Sequence, residues 1–156
     1  DEGASVELQG THSKLVVRCG ALNHPGGCFG YRVEEHIEGQ PLKVFVYATD
    51  TEHYAANNPS LQSLAKDADI LFYDAQYTDE EYSGRVGIPR KGWGHSPWVR
   101  GIQEAKSAGV KQLLLTHHDP LHDDWMVARI ESDARREGMK LGLNVHAAYE
   151  GMDMEL

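Results

Sequence analysis

"PLKVFVYATD", Pro41 to Asp50, sets Val44, Phe45, Val46 and Tyr47 side by side before stopping at a threonine and an acid. Apolar residues on both faces of an extended segment mark a central strand, covered on either side. Upstream, "SKLVVRC" (13–19) and "FGYRVEEHI" (29–37) are rich in Val, Tyr, Phe and Ile and partly alternate. "NHPGG" (23–27) between them supplies turn residues, and "DEGASVELQG" enters strand-like sequence almost at once. Downstream the period changes. "NPSLQSLAKDAD" (58–69) opens with a Ser after Pro59 and spaces Leu61, Leu64, Ala65 and Ala68 as a helix does. "ILFYDA" (70–75) reads as a buried strand ending near Asp74, and "SPWVRGIQEAKSAGV" (96–110) as an amphipathic helix between Pro97 and Gly109. "KQLLLTH" (111–117) is another buried strand, "DDWMVARIESDARREG" (123–138) another helix, and "LNVHAAYEGMDMEL" (143–156) closes with strand-like sequence. Buried strands alternating with helices predict an α/β (α+β) fold, a mixed sheet covered by helices, with polar residues gathered at strand ends.

The chain has 156 residues, enough for one domain that buries roughly two thirds of its unfolded surface. Fifteen basic against twenty-four acidic residues leave a formal charge of −9, which argues against a broad surface for long nucleic acids. A small anion held by local positive charge or by metal remains compatible. Two cysteines, Cys19 and Cys28, make no disulfide framework, and the expected compartment is the reducing cytoplasm. No apolar run reaches the ~20 residues of a membrane-spanning helix, so no membrane partner is expected.

Asp50, Asp74 and His117 each follow an apolar strand and are expected along one edge of one sheet. An acid there is by itself more often a turn former or helix cap, and a lone histidine more often a hydrogen-bonded structural group. Together, carboxylate oxygen and imidazole nitrogen suit zinc, iron or manganese. "GWGHSPW" (92–98) adds His95 in a glycine-rich loop, and a histidine with a pKa near ~6.5 can move a proton near neutral pH. His24 sits in the turn between two strands. "HHDPLHDD" (117–124) is not a self-contained cage, because Pro120 breaks helical spacing. One of His117 and His118 is the candidate ligand, with Asp119, Asp123 and Asp124 orienting neighbours or capping the next helix. Tyr77, Tyr82, Trp93 and Trp98 are candidates to stack on a base or sugar.

Taken together, "NHPGGCFGYR", "VYATDTE", "LFYDAQYTDEEY", "GWGHS" and "LLLTHHDPLHDD" resemble, in order and over nearly the whole chain, the C-terminal half of a metallo-β-lactamase-fold hydrolase. The similar branch is that of ribonuclease Z and small phosphodiesterases. The resemblance implies half of an αββα sandwich with helices on one face, and a two-metal site: two divalent ions, zinc first, with manganese or iron as alternatives. It implies that His24 completes the first metal's shell, Asp50 bridges both, and His117 closes the second. His95 then lies near the scissile phosphate, oriented by Asp74. The family's His-x-His-x-Asp-His loop occurs nowhere in the sequence. The expectation is therefore a single domain, 1–156, whose N-terminal half is missing or comes from another chain, with the isolated chain inactive. The start at Asp1, without an initiator methionine, is in keeping with truncation. Half a sandwich leaves an apolar sheet face, which predicts a homo-oligomer.

In that family a tRNA-gripping insertion separates the "GYR" strand from the bridging Asp. Only seventeen residues, Val33 to Thr49, lie between Arg32 and Asp50 here. The expected substrate is thus a small or cyclic phosphodiester, and long nucleic acid is not expected. Two other functions are open: lactone or thioester hydrolysis, and a metal-free structural or interaction module or inactive fragment.

Overall fold

The structure, a computed structural model, describes residues 3–54 and 57–154. Seven strands form one sheet in sequence order: β1 (Ser5–Gln9), β2 (Lys14–Leu22), β3 (Cys28–His36), β4 (Lys43–Ala48), β5 (Ile70–Asp74), β6 (Gln112–Thr116) and β7 (Asn144–Ala147). β1 to β4 pair antiparallel through short hairpins. β4 to β7 run parallel, each pair joined by a crossover, as parallel pairing requires. β4 is where antiparallel pairing gives way to parallel. Its run is apolar on both faces, but among the described residues helices cover only the face of Val44, Val46 and Ala48, and Tyr47 on the other is exposed, so the expected two-sided cover is not met.

The helices are α1 (Pro59–Ala65), α2 (Asp79–Ser83), α3 (Trp98–Ala108) and α4 (Asp124–Lys140). α1 starts one residue earlier than its Ser suggests: the Asn58 side chain accepts from the N–H groups of Ser60 and Leu61. α2 lacks apolar periodicity and escapes pattern reading, yet Thr78 and Glu81 form a complete capping box around its first turn. α1, α3 and α4 pack on one sheet face, where Val46, Leu71, Leu113 and Leu115 meet Leu61, Ile102, Ala105 and Ile130. Gly138 lets α4 approach β7, since a Cβ there would lie 2.5 Å from Val145 Cγ2 and 2.7 Å from the Leu143 carbonyl.

The opposite face carries the alternate residues. Register aligns Tyr31, Tyr47, Phe72 and Leu114 across four neighbouring strands, and Tyr31 and Tyr47 are exposed. The closing strand is shorter than its sequence suggests. Beyond Ala147 the chain borders this face, where Tyr149, Met152 and Met154 line a cavity of about 340 Å³ with Phe45, Ile70, Phe72 and Leu114. No helix among the described residues is long and apolar enough to cross a membrane.

Candidate metal centre

Because β4, β5 and β6 are parallel, their C-terminal ends share one sheet edge, where Asp50, Asp74 and His117 leave the sheet. His117 Nε2 lies 3.5 Å from Asp50 Oδ1, and Thr49 Oγ1 donates to Asp50 Oδ2 at 3.0 Å. Both residues have left-handed backbones, φ 55° at Asp50 and 58° at His117. Such a conformation costs a non-glycine residue roughly 1–2 kcal/mol. Two strained residues facing each other at one edge are a pattern that clusters at functional sites.

His24 comes from the β2–β3 turn, where Gly26 N–H donates to its Nδ1 at 3.1 Å. His95 comes from the loop between α2 and α3. Its ring lies edge-on to His24 with centroids 5.4 Å apart and stacks on His117 at 4.8 Å. The donor atoms of His24, Asp50 and His95 lie within 4.8 Å of one another, as do those of Asp74, His95 and His117. The edge therefore brings together all five residues singled out from sequence, and His95 belongs to both groups.

Asp74 is fully buried. Its Oδ2 faces His95 Nδ1 at 2.7 Å and accepts Thr51 N–H, while its Oδ1 accepts the N–H groups of Gln76 and Ser96. An ionised carboxylate only accepts, so Nδ1 carries the proton and Nε2 is left for other chemistry. The Asp74 hydrogen bond outweighs burial and raises the His95 pKa above its usual value.

His117 and His118 diverge. Both His118 ring nitrogens are shielded from solvent, and burial lowers its pKa. Asp119 accepts from Arg90 at 3.0 Å, His122 pairs with Glu81 at 2.9 Å, and Asp123 caps α4 through Met126 N–H. The loop after β6 is thereby tied to the loop that carries His95. Of the four aromatics proposed to stack on substrate, Tyr77 is buried under Arg90, Tyr82 donates to Glu52 and Trp98 packs on the core. Only Trp93 keeps an exposed ring, 49% accessible.

Sequence reasoning missed Glu52 and Ser96. Ser96 Oγ accepts from His53 N–H and Tyr73 O–H and donates to the Thr51 carbonyl. Burial works against the Glu52 charge, but donors from Gly92, Tyr82 and Gly94 prevail and hold its carboxyl below the usual range. Both lie inside motifs that carry the resemblance, Glu52 at the end of "VYATDTE" and Ser96 at the end of "GWGHS", but neither has a role assigned from sequence. Beside His24, an open pocket of about 390 Å³ has His53, Tyr54, Tyr82 and Lys91 in its wall.

The donor set, imidazole nitrogens around one carboxylate, fits a divalent transition metal. The two groups close enough to share an ion are His24–Asp50–His95 and Asp74–His95–His117.

The fold recurs in solved structures. It overlays the metallo-β-lactamase fold protein YhfI from Bacillus subtilis with a TM-score of 0.65 at 19% identity, covering 96% of this chain and 52% of that one. It overlays the short form of human tRNase Z with a TM-score of 0.58 at 17% identity, covering 93% and 44%. In sequence it is 39% identical over 89 residues to ribonuclease Z of Brevibacillus brevis, 56% of this chain and 24% of that protein. The chain spans about half, or less, of the length of these proteins. Residues 3–118, which hold every residue of the cluster, match the Beta-lactamase superfamily domain, and the chain belongs to that family, in its metallo-β-lactamase fold.

Proposed function

We propose that this chain forms one side of the active site of a metal-dependent hydrolase that cleaves phosphodiesters. The observation that carries the reading is the meeting of Asp50 and His117 at one sheet edge, with His95 stacked on His117 and anchored by Asp74.

In this reading His24, Asp50 and His117 would help hold two divalent ions, zinc first, with manganese or iron also suited to the donors. Such ions supply positive charge against phosphoryl oxygens and acidify water from about 15.7 toward ~7. Asp50 would supply carboxylate charge to the site, offsetting the positive charge of bound metal. His95, its Nδ1–H engaged by Asp74, presents Nε2 to stabilise charge on the phosphoryl group or to protonate the leaving alkoxide, a contribution of ~100-fold to ~10,000-fold. In this reading the remaining ligands come from another segment or from a second chain. The isolated chain is then an associating, incomplete enzyme.

The names of the relatives, ribonuclease Z and tRNase Z, support phosphodiester chemistry. A small or cyclic phosphodiester is favoured by the short β3–β4 connection, residues 37–42, by the charge of −9 and by the pocket beside His24. A metal-free module is the competing reading, favoured by the three-residue ligand set. Zinc titration followed by NMR of the histidine rings separates them: shifts at His24 and His117 support the metal site, and unmoved rings refute it. Metal-loaded protein, assayed with its ligand-supplying segment on bis-p-nitrophenyl phosphate, a lactone, a thioester and precursor tRNA, then assigns the substrate class.

A further inference from the structure

We infer that Glu52 is a positioning residue that locks the loops of His24, Asp50 and His95 into one arrangement; this rests on the site reading above. Glu52 follows Asp50 by two residues and is only 7% exposed. Its side-chain hydrogen bonds all come from neutral donors: Tyr82 O–H at 2.5 Å and Gly92 N–H at 2.8 Å to Oε1, and Gly92 N–H and Gly94 N–H at 3.0 Å to Oε2. A buried carboxylate is costly unless such donors offset its lost hydration. Gly92 and Gly94 belong to the loop that delivers His95, one residue beyond Gly94, and Tyr82 to α2 just before it.

The main chain of Glu52 is clamped on its other side. Its N–H donates to the Asn23 carbonyl at 2.7 Å, and Asn23 Nδ2 donates to the Glu52 carbonyl at 2.9 Å. Asn23 immediately precedes His24. The circle closes at Gly94, with φ +95°, where a Cβ would lie 2.3 Å from His24 Cδ2 and 2.7 Å from Nε2. The Gly94 backbone therefore abuts the His24 ring while its N–H is held by Glu52. One side chain thus governs the distance between His24 and His95, and its backbone ties both to the Asp50 turn.

The chemistry calls for a carboxylate. All its partners donate, and only an ionised acid offers two oxygens with no donor of its own. Glu52→Gln turns one oxygen into an NH₂ group that meets a donor, either Gly94 N–H or the Tyr82–Gly92 pair. Gly138→Ala, on the far side of α4, is the control for lost stability alone.

The test uses the 15N-labelled chain. In the metal-free state, Glu52→Gln is expected to shift the Gly92 and Gly94 amides and the His24 and His95 rings, while Gly138→Ala leaves them in place. Zinc affinity, from calorimetry, should fall ~10- to 100-fold in Glu52→Gln and hold in Gly138→Ala, the size typical for residues that orient metal ligands. Glu52→Asp keeps the acceptor chemistry but shortens its reach, and is expected to lie between. Should Glu52→Gln fail to fold, Glu52→Asp is read by the same ring signals. Wild-type positions for both rings in the folded variants overturn the inference. The metal-free ring signals decide the role of Glu52 whether or not the wild type binds zinc, so failure of this inference is told apart from failure of the metal-site reading.

Discussion

His95 Nδ1 lies 2.7 Å from Asp74 Oδ2, so a carboxylate at the buried end of β5 fixes a histidine that arrives from a glycine-rich loop. The same carboxylate takes three backbone N–H groups, from Thr51, Gln76 and Ser96. It therefore anchors the turn after Asp50 and the loop of His95 together.

Removing either partner separates chemistry from metal binding. In the enzyme completed by its missing ligands, His95→Ala is expected to retain metal and lose ~100- to 10,000-fold in phosphodiester turnover. Asp74→Asn presents an NH₂ group to at least one backbone donor and should lose turnover and about 2–3 kcal/mol of stability. Metal analysis beside steady-state kinetics checks this; equal loss of metal in His95→Ala would make His95 a ligand.

Arg90 bonds Asp119 at 3.0 Å with both side chains largely buried, and its guanidinium lies over the rings of Tyr77 and Trp93. Arg90→Ala leaves the Asp119 charge without its partner and should cost about 3 kcal/mol, near the low end for broken buried pairs. Arg90→Lys should recover only part, because an ammonium lacks the planar fork and the stacking face. Urea unfolding midpoints of the three proteins decide it, and equal midpoints would show the pair to be idle.

At Gly138 two effects oppose each other. Alanine gains up to about 1 kcal/mol of helix propensity. Its Cβ, however, would lie 2.7 Å from the Leu143 carbonyl, a backbone atom that cannot swing aside. Overpacking costs typically ~1–3 kcal/mol, so Gly138→Ala should be net destabilising. A raised melting temperature would contradict the tight α4–β7 contact.

Asp69 joins β4 to the start of β6, accepting Val44 N–H and the Lys111 ammonium. Burial works against its charge, but these donors prevail and hold its carboxyl below the usual range. The folded pKa is thus lower than the unfolded one. The stabilisation is complete above the unfolded pKa of about 3.9 and disappears as pH falls through the folded value. Unfolding free energies measured from pH 7 to 3 should therefore fall less steeply toward acid in Asp69→Asn than in the wild type. Parallel curves would remove Asp69 from the acid response.

Sheet and helices were legible because their signals are local. Apolar runs such as Leu113–Leu115, the spacing of Leu61, Leu64 and Ala65, and the stop at Gly109 each depend on neighbours in the chain. Asp50, Asp74 and His117 could be placed on one edge for the same reason: each ends a run, and strand ends coincide when strands are parallel. The aromatics misled because composition does not tell a stacking face from a packed ring. Tyr77 and Tyr82 are taken up by Arg90 and Glu52, partners 13 and 30 residues away.

By itself, the order of residues determined the strands, the three longer helices, the helix-covered sheet and the polar groups brought to its rim, since periodicity and turn chemistry act over a few residues. The short α2 and the end of β7 escaped it. Only the tertiary structure decided which polar groups touch: His95 with Asp74, Arg90 with Asp119, Glu52 with Gly92 and Gly94. Such pairings require loops from separate crossovers to meet, and their hydrogen bonds depend on tenths of an ångström that no local pattern encodes.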